Sequence, residues 1–226
     1  MRYVRPLMQV GPAVPREAVP FGLCWFTHVE VLSRTESAQI VPVSEVREEE
    51  RARFTGAADT PKLMGILNTT PDSFSDGGAF DTLEAAITRG QALVAAGACI
   101  LDIGGESTRP GATFVPQDIE IERTAPVIAG LRAAGVTTPI SIDTRKAAVA
   151  AAALDAGASI VNDVSGFTFD ADLARVCATR GVPVCVMHAQ GEPQTMQQNP
   201  TYDDVLLDVY DALAARIDML VSLGIS

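Results

Sequence analysis

Asn68, Asp102, Asp143, Asn162 and His188 each stand at or close to the end of a short apolar run. Amides and carboxylates gathered at such ends suit a heterocycle with several donors and acceptors. A carboxylate at Asp143 can accept two hydrogen bonds from an amino-pyrimidine edge, and the amide of Asn162 can donate and accept at once. Asn68 offers a neutral oxygen to a hard cation such as Mg²⁺, which keeps several waters and takes phosphate oxygens as further ligands. Ser107, Thr108 and Arg109, in a glycine-flanked stretch, suit an anion through hydroxyl, backbone and guanidinium donors. Asp102 lies within its apolar run and needs a partner if it is buried.

Each residue also has a plainer reading. Asp143-Thr144 can cap a helix, and Asn162-Asp163 can form a turn. Gly104-Gly105 reads as tight strand-to-helix passage. His188 reads as a satisfied strand-end residue, and His28 as a partly buried strand residue among Trp25, Phe26, Val29 and Val31.

The elements that must position these residues follow from the pattern. Leu63-Met64-Gly65-Ile66-Leu67 is apolar without alternation, as a strand buried on both faces reads. Turn chemistry follows from Asn68 to about Asp81, longer than the usual βα connection of about 2–6 residues. Further strands are expected at 99–103, 139–142, 159–161 and 182–187. Amphipathic helices are expected at 82–96, 116–134, 146–156, 171–179 and 202–223. Asp81 and Glu84 suggest a capping box for the first helix. Val205, Leu206, Val209, Leu213, Ile217 and Leu220 suggest the stripe of the last. Successive βα units imply a parallel sheet. Polar ends on every strand favour a β/α barrel, whose chemistry sits on the C-terminal rim, over an open sheet with one crevice.

Residues 1–61 differ. They hold prolines, two β-like runs (22–32 and 38–43) and a charged stretch from Glu45 to Arg53, read as a hairpin and linker before a barrel at 62–226. The 226 residues are 47% hydrophobic, enough for a substantial core, and the net charge of −11 argues against a nucleic-acid or anionic-membrane surface. Cys24, Cys99, Cys177 and Cys185 form no C-x-x-C pair and read as buried thiols of a cytoplasmic protein. The amino-terminal prolines break any signal-peptide core.

The segments MGILNTTPDSFSDGG (64–78), GACILDIGGESTRPGA (97–112), SIDTRK (141–146), VND (161–163) and VPVCVMHAQGEPQTMQ (182–197) closely resemble dihydropteroate synthases. The resemblance implies a (β/α)8-type TIM barrel, here with about five of its units. It implies a transferase of folate biosynthesis that joins 4-aminobenzoate to a dihydropterin carrying a CH₂-diphosphate, with Mg²⁺ present. Matched to the family, Asn68 holds the metal, and Thr69, Asp72 and Arg109 are catalytic positions on loops that close over the reacting groups. Asp102, Ser107, Thr108, Asp143, Asn162 and Met187 contact substrate. Thr69 departs from the valine of many members. The family's later Asp, Lys and Arg-x-His positions have no match, so the resemblance implies a chain lacking the C-terminal third. The family's homodimer contact is built from those late helices. A non-catalytic pterin-binding partial barrel, or a methyltetrahydrofolate methyltransferase-like enzyme, is the alternative.

Overall fold

The computed structural model describes residues 2–54, 61–70, 79–107, 112–191, 195 and 199–225. The chain forms two compact units, Met1–Pro61 and Lys62–Ser226. The first holds strands β1 (Arg2–Pro6), β2 (Val19–Phe21), β3 (Cys24–Phe26), β4 (His28–Ser33) and β5 (Gln39–Pro42). β1, β4 and β5 make an antiparallel sheet, and β2 pairs with β3. Phe26, Val29, Val43 and Val46 form its core. Two strands, β1 and β2, lie outside the runs expected from sequence. The charged stretch is not a bare linker: it contains the short helix α1 (Glu48–Arg51) between two 3-10 turns. His28 is exposed rather than partly buried.

The second unit runs β6 (Met64–Asn68), α2 (Ala79–Ala95), β7 (Ile100–Gly104), α3 (Gln117–Ala133), β8 (Ile140–Asp143), α4 (Ala147–Asp155), β9 (Ile160–Asp163), α5 (Leu173–Arg180), β10 (Val184–Val186) and α6 (Val205–Ser222). The sheet order is β10-β9-β8-β7-β6 and every pairing is parallel. Each strand lies beside its predecessor with no reversal of order. That is the winding of a barrel, whereas a doubly wound sheet reverses at a switch point. The architecture is a partial β/α barrel of five strands.

Register sorts the side chains into two faces, because successive residues of a strand point to opposite sides. Leu67, Ile103, Ile142, Val161 and Val184 form one row across all five strands. They pack with helix residues including Leu131, Val149 and Leu173. α2 and α3 approach closely because Gly90 faces Leu131 and Gly130 faces Ile87. The opposite face is concave and carries the alternate residues.

Two local expectations fail or hold only in part, for identifiable reasons. Asp81 lies inside α2, which is helical from Ala79, so it is not the cap. In α6 the expected stripe holds in part: Leu220 is buried and Val209 and Leu213 are half-buried, but Val205, Leu206 and Ile217 are exposed, and Leu207, outside the stripe, is buried. The last helix is apolar over most of its circumference, so periodicity alone does not select its face. Among the described residues no helix is long and apolar enough to cross a membrane. All four cysteines are free, yet only Cys177 is buried.

Candidate active site

The concave face ends in a polar row. Asn68 pairs in register with Gly104, Gly104 with Asp143, Asp143 with Asn162, and Asn162 with Cys185. These residues sit on the same face at the carboxyl ends of adjacent strands. The row below holds Ile66, Asp102, Ser141 and Ile160. Asn68, Asp143 and Asn162 are thereby brought together, as their strand-end positions suggest. Gly104 makes the room: a Cβ there would lie 3.5 Å from Asp143 Oδ2 and 3.9 Å from Asn68 Oδ1. Gly105 has a different task. A Cβ at Gly105 would lie 2.9 Å from Thr124 Cγ2 and 3.2 Å from the Glu120 carbonyl oxygen. Only the second glycine serves close passage against a helix.

The turn reading of Asn162-Asp163 belongs to its second residue, whereas neither Asp143 nor Thr144 caps α4, whose cap position is Lys146 without a side-chain bond. Thr144 Oγ1 accepts from Lys146 N at 3.2 Å, while the first N–H of α4, from Ala147, donates to Asp170 at 2.8 Å. Asp163 accepts from the backbone N–H groups of Ser165 and Phe167, each at 2.7 Å, and from the Ser165 hydroxyl at 2.8 Å. Asp143 and Asn162 are left to the concave face. Asn162 Nδ2 donates to Asp102 Oδ2 at 3.2 Å. Burial, and then the charges of Asp102, Glu120, Asp163 and Glu106, push the Asp143 carboxyl up to about 7.

Behind the row lies a clasp of four charges. Glu106 accepts from Arg145 Nε at 3.1 Å, from Lys146 Nζ at 3.0 Å and from the Val115 N–H at 2.9 Å. Lys146 also contacts Glu120, which is fully buried, and donates to the Val115 carbonyl at 2.7 Å. Burial works to raise the Glu106 carboxyl, but bonds from Arg145, Val115 and Lys146 overcome it and hold it below the ordinary range. Arg145 stacks over Phe169, 4.0 Å from the ring centroid. The clasp joins the root of the β7 loop to the root of the β8 loop and to α3. Sequence reasoning missed it. The available signal was charge directly after buried strands, in Glu106 and in Arg145-Lys146.

The other expected site residues fall variously. Thr69 is buried, and both its N–H (2.8 Å) and its hydroxyl (3.1 Å) donate to the Gly104 carbonyl. Both donors thus join two strand ends. Met187 lies just beyond β10 and is 36% exposed. Ser107 is exposed at the end of its described stretch. Asp72, Thr108 and Arg109 lie outside the described residues. His188 Nε2 is 3.2 Å from the Tyr202 hydroxyl, a satisfied strand-end histidine. A cavity of about 440 Å³ between Phe114 and Phe169 has Lys146 in its lining and contains none of the expected site residues.

A partial parallel barrel with a polar row on its carboxyl rim defines a class of site that binds a small molecule at strand ends. Residues 64–226 match the family model described as pterin binding enzyme, and the chain belongs to that family. It is 48% identical over 163 residues to a dihydropteroate synthase of Synechocystis, covering 72% of this chain and 56% of that protein. Among solved structures, it is similar to Xanthomonas albilineans dihydropteroate synthase with 4-aminobenzoic acid. There the TM-score is 0.67 and the identity 46%, over 74% of this chain and 59% of that one. It is also similar to Burkholderia cenocepacia dihydropteroate synthase complexed with 7,8-dihydropteroate. That TM-score is 0.64 and the identity 44%, over 77% and 58% of the two chains. The chain therefore spans a little over half the length of these relatives.

Proposed function

We propose that this chain carries the pterin-reading part of a dihydropteroate synthase. The carrying observation is the register row that sets Asn68, Asp143 and Asn162 on one face of one rim. The reaction is the attack of the 4-aminobenzoate nitrogen on the CH₂ of (7,8-dihydropterin-6-yl)methyl diphosphate. A C–N bond forms, the C–O bond to diphosphate breaks, and the amine proton is lost. Asp143 accepts two N–H bonds from the aminopyrimidine edge, and Asn162 supplies a further polar contact. Orientation and exclusion of water are the contributions asked of the protein.

Mg²⁺ fits this donor set as an ion that arrives with the diphosphate. Among the described residues no three His, Cys, Asp or Glu side chains gather to cage a metal. Asn68 offers one neutral oxygen beside the Gly104 gap, which suits an ion taking most of its ligands from phosphate and water. When bound, the ion offsets charge on the leaving diphosphate. Ser107, Thr108 and Arg109 would add donors to the same anion, and Met187 would pack against the ring.

Titration calorimetry with the dihydropterin diphosphate, Mg²⁺ and 4-aminobenzoate tests this, with diphosphate release followed alongside. Saturable pterin binding that Asp143→Asn weakens supports the reading. Wild-type protein that produces no pterin heat overturns it. Binding without diphosphate release favours a pterin-binding partial barrel over an enzyme.

A further inference from the structure

The turn that follows Asn162 holds its backbone in an uncommon shape. Gly166 has a φ of 63°, and the next residue, Phe167, has a φ of 62°. A left-handed φ is an outlier for an aromatic residue and persists only where the surroundings impose it. Here they do. The fully buried Asp163 carboxylate accepts from the Ser165 and Phe167 N–H groups and from the Ser165 hydroxyl. The Gly166 N–H donates to the Asp163 carbonyl at 3.1 Å, and the Phe167 side chain is buried in the core of its unit. What this turn meets is the backbone just past β10. A Cβ at Gly166 would lie 2.7 Å from the Met187 carbonyl oxygen and 3.8 Å from Val186 Cγ1. The turn after β9 therefore abuts the chain at Met187 with no space for a side chain between them. Cys185 pairs in register with Asn162, and the alternation that sets Cys185 on the concave face carries Met187 to the same side, one row further out.

We propose that Gly166 is a positioning residue for Met187: the left-handed turn after Asn162 props the Met187 backbone and so fixes the wall that the thioether gives the ring. The role rests on the proposed reading of the rim as a dihydropterin site with Met187 against the ring. A methionine side chain has three rotatable bonds and adapts to irregular gaps. It becomes a defined wall only when the backbone that carries it is held. Gly166 belongs to the turn that begins at the end of Asn162's own strand. The polar contact to the ring's edge and the apolar contact to its face are thereby set by one piece of backbone. A side chain at position 166 breaks that arrangement. Its Cβ starts 2.7 Å from the Met187 oxygen and needs the 3.4 Å of ordinary contact, so the Met187 backbone must give way by about 0.7 Å.

The test is NMR of protein carrying carbon-13 methionine methyls, beside calorimetric titration with the dihydropterin diphosphate and Mg²⁺. Met187→Leu assigns the Met187 signal, and Met219, on α6, is the control. In ligand-free Gly166→Ala the Met187 methyl signal should move while that of Met219 stays. Pterin affinity should fall about 10-fold, as sub-ångström misplacement of a binding group does. Movement of both signals alike is general loosening and overturns the proposal. Met187→Ala removes the wall itself, so adding Gly166→Ala to it should cost no more than about twofold further, the limit of additivity error. Losses that add in full overturn the proposal. Ser165→Ala removes only hydroxyl bonds of the turn and guards against Gly166→Ala failing to fold. It should move the same Met187 signal and weaken binding about threefold, and an unmoved signal overturns the proposal. Bound pterin that leaves the wild-type Met187 signal in place removes this role alone and leaves the polar row standing. A wild type that binds no pterin removes the reading of the site as well.

Discussion

Lys146 holds its ammonium 3.0 Å from the Glu106 carboxylate, with the two side chains only 5% and 6% exposed. Its other carboxylate contact, Glu120, has no exposure at all. Breaking one partner of a buried pair leaves an uncompensated charge in poor solvent, at a cost of about 3–5 kcal/mol. Lys146→Met leaves Glu120 without its cation and should lower unfolding free energy by that amount. Urea denaturation measures it. A loss below about 1 kcal/mol, the size of an exposed pair, would remove the clasp from the account of stability.

Asp143 makes stability and ligand binding depend on pH in opposite directions. With its folded pKa pushed up to about 7 from the ordinary 3.8, it binds its proton more tightly folded than unfolded. Its contribution to stability is complete below the unfolded value and is lost as pH rises through the folded one. Binding through a charged carboxylate should instead strengthen as pH climbs through 7. Asp143→Asn should flatten both profiles and weaken pterin binding by about 1.5–3 kcal/mol. Melting curves and titrations between pH 5 and pH 9, roughly two units either side of the raised value, check both. A variant with wild-type slopes would refute the assignment.

The two adjacent glycines should fail differently. Gly104→Ala places its Cβ in ordinary contact with Asp143 and Asn68, so the fold should survive while the gap narrows and affinity drops. Gly105→Ala meets Thr124 and the Glu120 backbone, an overpacking that typically costs about 1–3 kcal/mol. Circular dichroism and calorimetry on both variants separate the outcomes. Equal effects on stability would contradict the division of labour.

Thr69→Val removes a single hydroxyl bond to the Gly104 carbonyl and keeps the shape. The expected loss is about 0.5–1.5 kcal/mol of stability, with pterin affinity unchanged. A large fall in affinity with little change in stability would instead show that Thr69 acts on the ligand.

The strand ends were legible in the sequence because a buried strand reads as an unbroken apolar run and stops at a polar residue. Asn68, Asp143 and Asn162 could be placed from that alone. The register row could not, since pairing is a relation between strands hundreds of atoms apart along the chain. The Glu106–Lys146 clasp was hidden for the same reason: separately its members look like solvated charges, and burial comes only with the loop roots that meet around them. The face of α6 was legible only in part, at Val209, Leu213 and Leu220, because a helix apolar nearly all round gives periodicity little to select. Local propensity fared unevenly at Asp163 and Thr144. The turn propensity was read correctly at Asp163, while at Thr144 the hydroxyl bonds the Lys146 N–H just before the helix and the first helical N–H goes to the distant Asp170.

All members of the polar row come from consecutive βα units, between Asn68 and Cys185. The donors and acceptors of this row are therefore encoded as one uninterrupted block of the chain. Recombination between relatives can exchange that block whole, or leave it whole, without splitting the donors and acceptors that must agree with one another.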